Sequence, residues 1–244
     1  MLRKAFTTFE LIVVLTVIGI LAAMALPRQQ STNLQEATDQ IVKHMQLAQS
    51  LALAQDFYLS ESAQSNDYTN LIKQSKSSVQ WFKRWWQIQF HWAGSPQSSY
   101  SVYSDHPSDV PTTNMYNSFP DYSAVFSNGD ILAVDAHSGL LIADINANIN
   151  PQESRLTDVD IGAKYGVQID MANCVSVSSN RNSDHILFDN LGRPHCAKPI
   201  GDVSLNPYDQ LMTTQTRITL TLLNNNETRV ICVEPESGYI HICG

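Results

Sequence analysis

One carboxylate, Glu10, heads an uncharged apolar run from Leu11 to Leu26, and Pro27 closes that run. Few patterns restrict a chain more. A charge at a bilayer centre costs roughly 2.5–3.5 kcal/mol on insertion scales, so it needs a function and a partner. Arg3 and Lys4 precede the run. Counted from Phe6, the segment reaches the roughly 20 residues that a membrane span needs. Basic residues ahead of a span place the N-terminus in the cytoplasm. An ordinary secretory signal would instead be cut at small residues beyond the apolar stretch. Ala22-Ala23-Met24-Ala25 mimics such a site, but Glu10 interrupts the front of the apolar region.

Lys4-Ala5-Phe6-Thr7-Thr8-Phe9-Glu10 with the run behind it resembles the class III signal of type IV pilins and pseudopilins. The resemblance covers about the first thirty residues. It implies a leader, Met1 to Ala5, removed by a prepilin peptidase that then methylates Phe6. It implies that Glu10 pairs with the terminal amine of a neighbouring subunit during assembly, and that Pro27 kinks the helix. The residue before the cut is usually Gly in that family and is Ala5 here.

The chain has 244 residues and four cysteines. Once a membrane helix is set aside, its length fits one soluble domain. The formal net charge is −8, or −10 once Arg3 and Lys4 leave with the leader (−8 minus 2). So acidic a protein is repelled overall by nucleic acid and anionic lipid. Cys174, Cys196, Cys232 and Cys243 are even in number, which in an exported domain points to disulfides. Three pairings are open. Cys174–Cys196 with Cys232–Cys243 is preferred, because Cys232 and Cys243 flank a predicted hairpin. Four buried thiols are the alternative, and the spacing fits no usual zinc site.

Beyond Pro27, Leu34, Ala37, Ile41, Met45, Ala48 and Ala52 recur at steps of three and four, an amphipathic helix. Residues 60–78 and 93–120 read as loops. Trp86-Gln87-Ile88-Gln89-Phe90-His91-Trp92 alternates strictly, the mark of a half-buried strand. Asn128-Gly129 predicts a hairpin turn within 124–134. Further strands are predicted near 139–149, 164–170 and 184–189. The stretches 218–222, 230–233 and 239–243, separated by polar turns, predict a three-stranded meander. Residues 186–194, carrying Phe188 and Gly192, and Glu236-Ser237-Gly238-Tyr239 loosely resemble the distal half of GspH/FimT-type minor pseudopilins.

Lys73, Lys76, Lys83 and Arg84 interleave with Trp81, Phe82, Trp85, Trp86 and Trp92. Aromatics can stack on bases while cations meet phosphates. Lys83, Arg84 and Trp85 are therefore candidate nucleic-acid contacts, beside the plainer reading of a buried strand with a basic edge. Asp144-Ile145-Asn146-Ala147-Asn148 mimics the start of a calcium loop, but Ile149 and Arg155 stand where Gly and Glu are required. Its plainer reading is a strand edge with Ile145, Ala147 and Ile149 facing inward. No HExxH, P-loop or G-x-S-x-G pattern occurs. The expectation is neither an enzyme nor a cofactor or metal binder. Asn226-Glu227-Thr228 is a glycosylation-type sequon.

The expected fold class is α+β and pilin-like. A long kinked N-terminal α-helix, membrane-spanning in its front half, packs on an antiparallel β-sheet domain. The expected divisions are a leader over 1–5, a transmembrane and assembly helix over 6–27, an amphipathic helix over 28–59 and a periplasmic β-rich domain over 60–244. The expected place is the bacterial inner membrane, single-pass, then a pilus or pseudopilus. Expected partners are prepilin peptidase, other pilin or pseudopilin subunits, the inner-membrane assembly platform and inner membrane lipid. The function that follows is a minor pseudopilin or pilin-like subunit. Its alternatives are a DNA-binding minor pilin and a membrane-tethered periplasmic enzyme.

Overall fold

The computed structural model describes residues 8–25, 28–55, 84–91, 98–105, 121–122, 130–145, 147–149, 154–172, 174, 183–197 and 211–243. Two helices come first, α1 (Thr8–Ala25) and α2 (Arg28–Ala54). A proline offers no amide donor and crowds the preceding turn, which kinks or breaks a helix. Pro27 itself lies outside the described residues.

The strands form two antiparallel sheets. The first combines β1 (Trp86–His91), β2 (Ser99–Ser104), β4 (Ile131–Leu132), β7 (Ser183–Phe188) and β8 (Pro194–Ala197), in the order β4-β2-β1-β7-β8. The second combines β6 (Val167–Ala172), β9 (Thr216–Leu222), β10 (Thr228–Val233) and β11 (Ile240–Ile242), in the order β11-β10-β9-β6. A short parallel pair joins β3 (Asp121–Tyr122) to β5 (Asn148–Ile149). One turn of helix, α3 (Ile161–Tyr165), precedes β6 and stops at Gly166 in the left-handed conformation. The C-terminal meander is the second sheet without β6, with Ile231 opposite both Ile218 and Ile242.

α2 holds the two sheets together. Leu34, Ala37, Ile41, Met45, Ala48 and Ala52 are each at most 2% exposed. They share one core with Trp86, Ile88 and Phe90 of β1 and with Ile218 and Leu220 of β9. At its C-terminal end Gln49 Nε2 donates to the carbonyls of Gly192 (2.9 Å) and Ser237 (3.2 Å), one in each sheet's turn. The β7–β8 turn is organised by buried Asp189, which accepts from the amides of Leu191 and Arg193. It also accepts from Arg193 Nε at 2.7 Å. Cys174, just after β6, is bonded to Cys196 on β8, so this disulfide also links the two sheets. Cys232 and Cys243 join β10 to the residue after β11. Their Cα atoms stand 5.2 and 5.9 Å apart, ordinary disulfide separations.

Several sequence expectations are corrected here. The α+β pilin-like arrangement gives way to a mostly β body of two antiparallel sheets around α2, with two separate N-terminal helices. Periodicity marks a buried helical stripe but not how many sheets cover it. Among the described residues no helix is long and apolar enough to cross a membrane, which overturns the single-pass inner-membrane placement. α1 has 18 residues. At about 1.5 Å per residue it falls short of the roughly 30 Å hydrocarbon core. β1 is buried on both faces rather than half-buried. Gln87 Oε1 pairs with His185 Nδ1 at 2.9 Å, and Gln89 Oε1 accepts from the Tyr103 hydroxyl at 3.2 Å. His91 pairs with buried Asp144. Residues 130–145 and 147–149 cover this polar face with a second small core around Tyr103, Leu132 and Ala143. Ile145 is 45% exposed, whereas Ala147 and Ile149 point inward.

Gly238 and Gly139 have nearly the same positive φ, 64° and 71°. A Cβ at Gly238 would collide with the Gly192 carbonyl, whereas one at Gly139 meets open space. Gly139→Ala is expected to cost about 1–2 kcal/mol for the left-handed backbone alone. Gly238→Ala should cost clearly more, because backbone must shift as well. Urea denaturation of the two variants checks the difference, and equal costs would contradict the close approach of the two turns.

Candidate functional site

Every residue of α1 from Thr8 to Leu21 is exposed. Phe9, Leu11, Ile12, Leu15, Ile18 and Leu21 lie between 56% and 74% exposure, so the apolar surface runs right round the helix. The composition explains this. A helix with a polar face buries the other face, and one apolar all round requires cover on every side. Glu10 sits in the first turn. There its charge is favoured by the positive end of the helix dipole. Ala5 and Phe6, the residues of the expected cleavage, lie outside the described residues.

The expected nucleic-acid contacts separate. Lys83 lies outside the described residues. Arg84 is half-buried. Trp85 is 2% exposed and packs against the His195 ring at 4.6 Å, so its face is not available for stacking on a base. Trp86 is equally buried and its Nε1 donates to Gln55 Oε1 at 2.7 Å. Asp144 of the calcium-like segment is fully buried, accepts from Ser99 Oγ at 3.0 Å, and is held as a structural group. Among the described residues no group of three metal-ligating side chains gathers.

A second feature was not foreseen from sequence. A cleft of about 450 Å³ opens along the flank of α2. Glu36, Asp39, Gln40, Lys43 and His44 line its helical wall. Asp135, His137 and Ser138 of a tight turn form a second wall, and Asp158 and Tyr165 a third. A relay of hydrogen bonds runs along its base. The Tyr165 hydroxyl donates to Gln40 Oε1 at 2.9 Å. Gln40 Nε2 donates to the Tyr100 hydroxyl at 2.9 Å, which lies 2.7 Å from His44 Nδ1. His44 Nε2 faces Asp135 Oδ1 at 3.6 Å. Lys164 is committed to Asp158 at 3.1 Å.

The cleft carries more carboxylates than cations, but burial is the leading influence on its titrating groups. Burial pushes the Tyr165 hydroxyl up to about 12, helped by the charges of Asp158 and Glu36. Burial raises Tyr100 well above the usual tyrosine value. Burial also disfavours the imidazolium of His44 and lowers its pKa, against the pull of Asp135. Burial alone would raise Asp135, but hydrogen bonds from Ser138 and the neighbouring His44 outweigh it and hold the carboxyl below its usual value. The only sequence signal for this site was the polar flank of α2 at i, i+3, i+4 and i+7 from Glu36. Its other walls come from residues far along the chain.

No family model, curated protein or solved structure matches this chain.

The lowered pKa of His44 has a definite sign. The unfolded chain takes up a proton near 6.5, whereas the folded chain resists it. Folding stability is therefore fully present above about pH 6.5 and is lost as pH falls through that value towards the folded pKa. Denaturant midpoints at about pH 7.5 and 5.5 should show this loss. His44→Gln should flatten that limb, and an unchanged limb would show that other groups produce it.

Proposed function

We propose that the chain is a structural assembly subunit of the pseudopilin or type IV pilin kind, processed ahead of Phe6. The observation that carries this reading is the exposed apolar circumference of α1 with Glu10 in its first turn. Apolar surface of this extent is removed from water most simply by other helices of the same kind. Several α1 helices packed side by side would leave each Glu10 in apolar surroundings, where a carboxylate requires a cation. The class III resemblance names that cation as the amine of Phe6 on a neighbouring subunit. The β body, stapled by two disulfides and clamped on α2, then acts as the globular part that contacts other subunits. The reading needs no active site. Buried Trp85 and the net charge weigh against the DNA-binding alternative.

The test joins processing to assembly. The chain is co-expressed with a prepilin peptidase and its intact mass measured. A Val14→Cys variant is then exposed to a short thiol cross-linker. All four native cysteines are in disulfides, so the new thiol reacts alone. The expected result is a chain starting at methylated Phe6 and a ladder of cross-linked subunits that Glu10→Ala abolishes. A chain still starting at Met1 beside an active peptidase, or no ladder from processed chain, overturns the proposal.

A further inference from the structure

The turn between β9 and β10 carries side chains that the fold does not use. Backbone bonds close it. The Leu222 amide donates to the Glu227 carbonyl at 2.8 Å, and the Asn226 amide to the Leu222 carbonyl at 2.9 Å. Asn225 adds one side-chain bond, accepting from the Glu227 amide at 2.9 Å. Asn226 itself has φ 59°, in the left-handed region that asparagine enters more readily than most residues. That conformation accounts for an asparagine here but gives its side chain no task. The Asn226 carboxamide makes no hydrogen bond among the described residues, and neither does the Thr228 hydroxyl. Both residues are exposed, as is Glu227 between them.

The spacing of these two idle groups has a chemical meaning. Asn226-Glu227-Thr228 is the one Asn-X-Ser/Thr sequence in the chain. An N-glycosylation acceptor needs an amide nitrogen that a transferase can reach and a hydroxyl two residues on by which it is recognised. The fold supplies both at the tip of a hairpin, the kind of place where added groups are tolerated. Thr228 opens β10 opposite Thr221, so a transferase gains the segment by loosening only the end of a strand pair. The turn that meets Gln49 of α2 lies at the other end of β10, so an attached glycan leaves that clamp untouched. The two disulfides are bonds that persist in oxidising compartments, where exported chains carry such glycans.

We propose that Asn226 is an acceptor for N-linked glycosylation. The co-reactant is an oligosaccharide joined to a polyprenyl lipid through a diphosphate. Asn226 Nδ2 attacks the anomeric carbon of its first sugar. A nitrogen–carbon bond forms, the carbon–oxygen bond to the diphosphate breaks, and the lipid diphosphate leaves with that electron pair. The amide gives up one proton to a base of the transferase, and no oxidant or reductant is required. This site is separate from α1 and does not depend on fibre assembly.

The folded full chain, in non-ionic detergent, is incubated with a transferase that reads Asn-X-Ser/Thr alone and with its lipid-linked oligosaccharide. A control acceptor protein in the same tube reports activity. Intact mass should rise by one glycan, and peptide mapping should place it on Asn226. Asn226→Gln and Thr228→Ala should each lose the added mass, whereas Thr228→Ser should keep it. All three change exposed side chains and should leave the unfolding midpoint where it is. A role confined to the turn would make Thr228→Ala as good an acceptor as the parent, and that result would overturn the proposal. So would a folded chain that gains no glycan beside a modified control, or a glycan that persists in Asn226→Gln.

Discussion

The burial of one stripe of α2 is the interaction on which the rest of this structure depends. Leu34, Ile41 and Met45 are completely buried, and the residues covering them belong to two different sheets. Removing water from this shared surface is the main term that holds the sheets together, because among the described residues no strand of one pairs with a strand of the other. Directional contacts then set their relative position. Gln49 bonds to a turn in each sheet, and Cys174–Cys196 ties the chain after β6 to β8. Gly238 permits the two turns to meet, because a Cβ there would collide with the Gly192 carbonyl, and Gly192 lets its own turn close onto Leu53 and Gln49 of α2.

Burying both faces of β1 has a consequence for polar groups. Gln87, Gln89 and His91 would be costly in the interior without partners. Each faces a group supplied by a distant segment: His185, Tyr103 and Asp144. The same logic explains Asp189, where burial would raise the pKa but hydrogen bonds from His195 and Arg193 outweigh it and hold the carboxyl below its usual range. His44 marks the cleft. One of its nitrogens is met by Tyr100 and the other by Asp135 across the cleft mouth.

The molecule therefore divides its surfaces by chemistry. α1 is apolar all round and offers no directional contact beyond Glu10. The cleft is polar, negative and shaped. The first kind of surface favours association through area, and the second selects by charge and hydrogen bonding.

Local pattern was enough to read some of this. The six-residue stripe of α2 was legible because a helix repeats every 3.6 residues, so one face shows itself in a linear string. The C-terminal meander was legible for the equivalent reason in strands, with polar turns between alternating runs. The cysteine pairing followed from the hairpin that Cys232 and Cys243 flank. Other properties lay outside any local pattern. Alternation in β1 revealed two faces but could not say that residues 130–145 and 147–149 would cover the polar one. The length of the apolar run could not say where helix α1 would end. The cleft needed Asp135, Asp158 and Tyr165 brought to the flank of α2 from far along the chain. Periodicity reports which side of an element avoids water. Only tertiary packing decides what replaces the water, because that depends on which distant side chains can reach the same place.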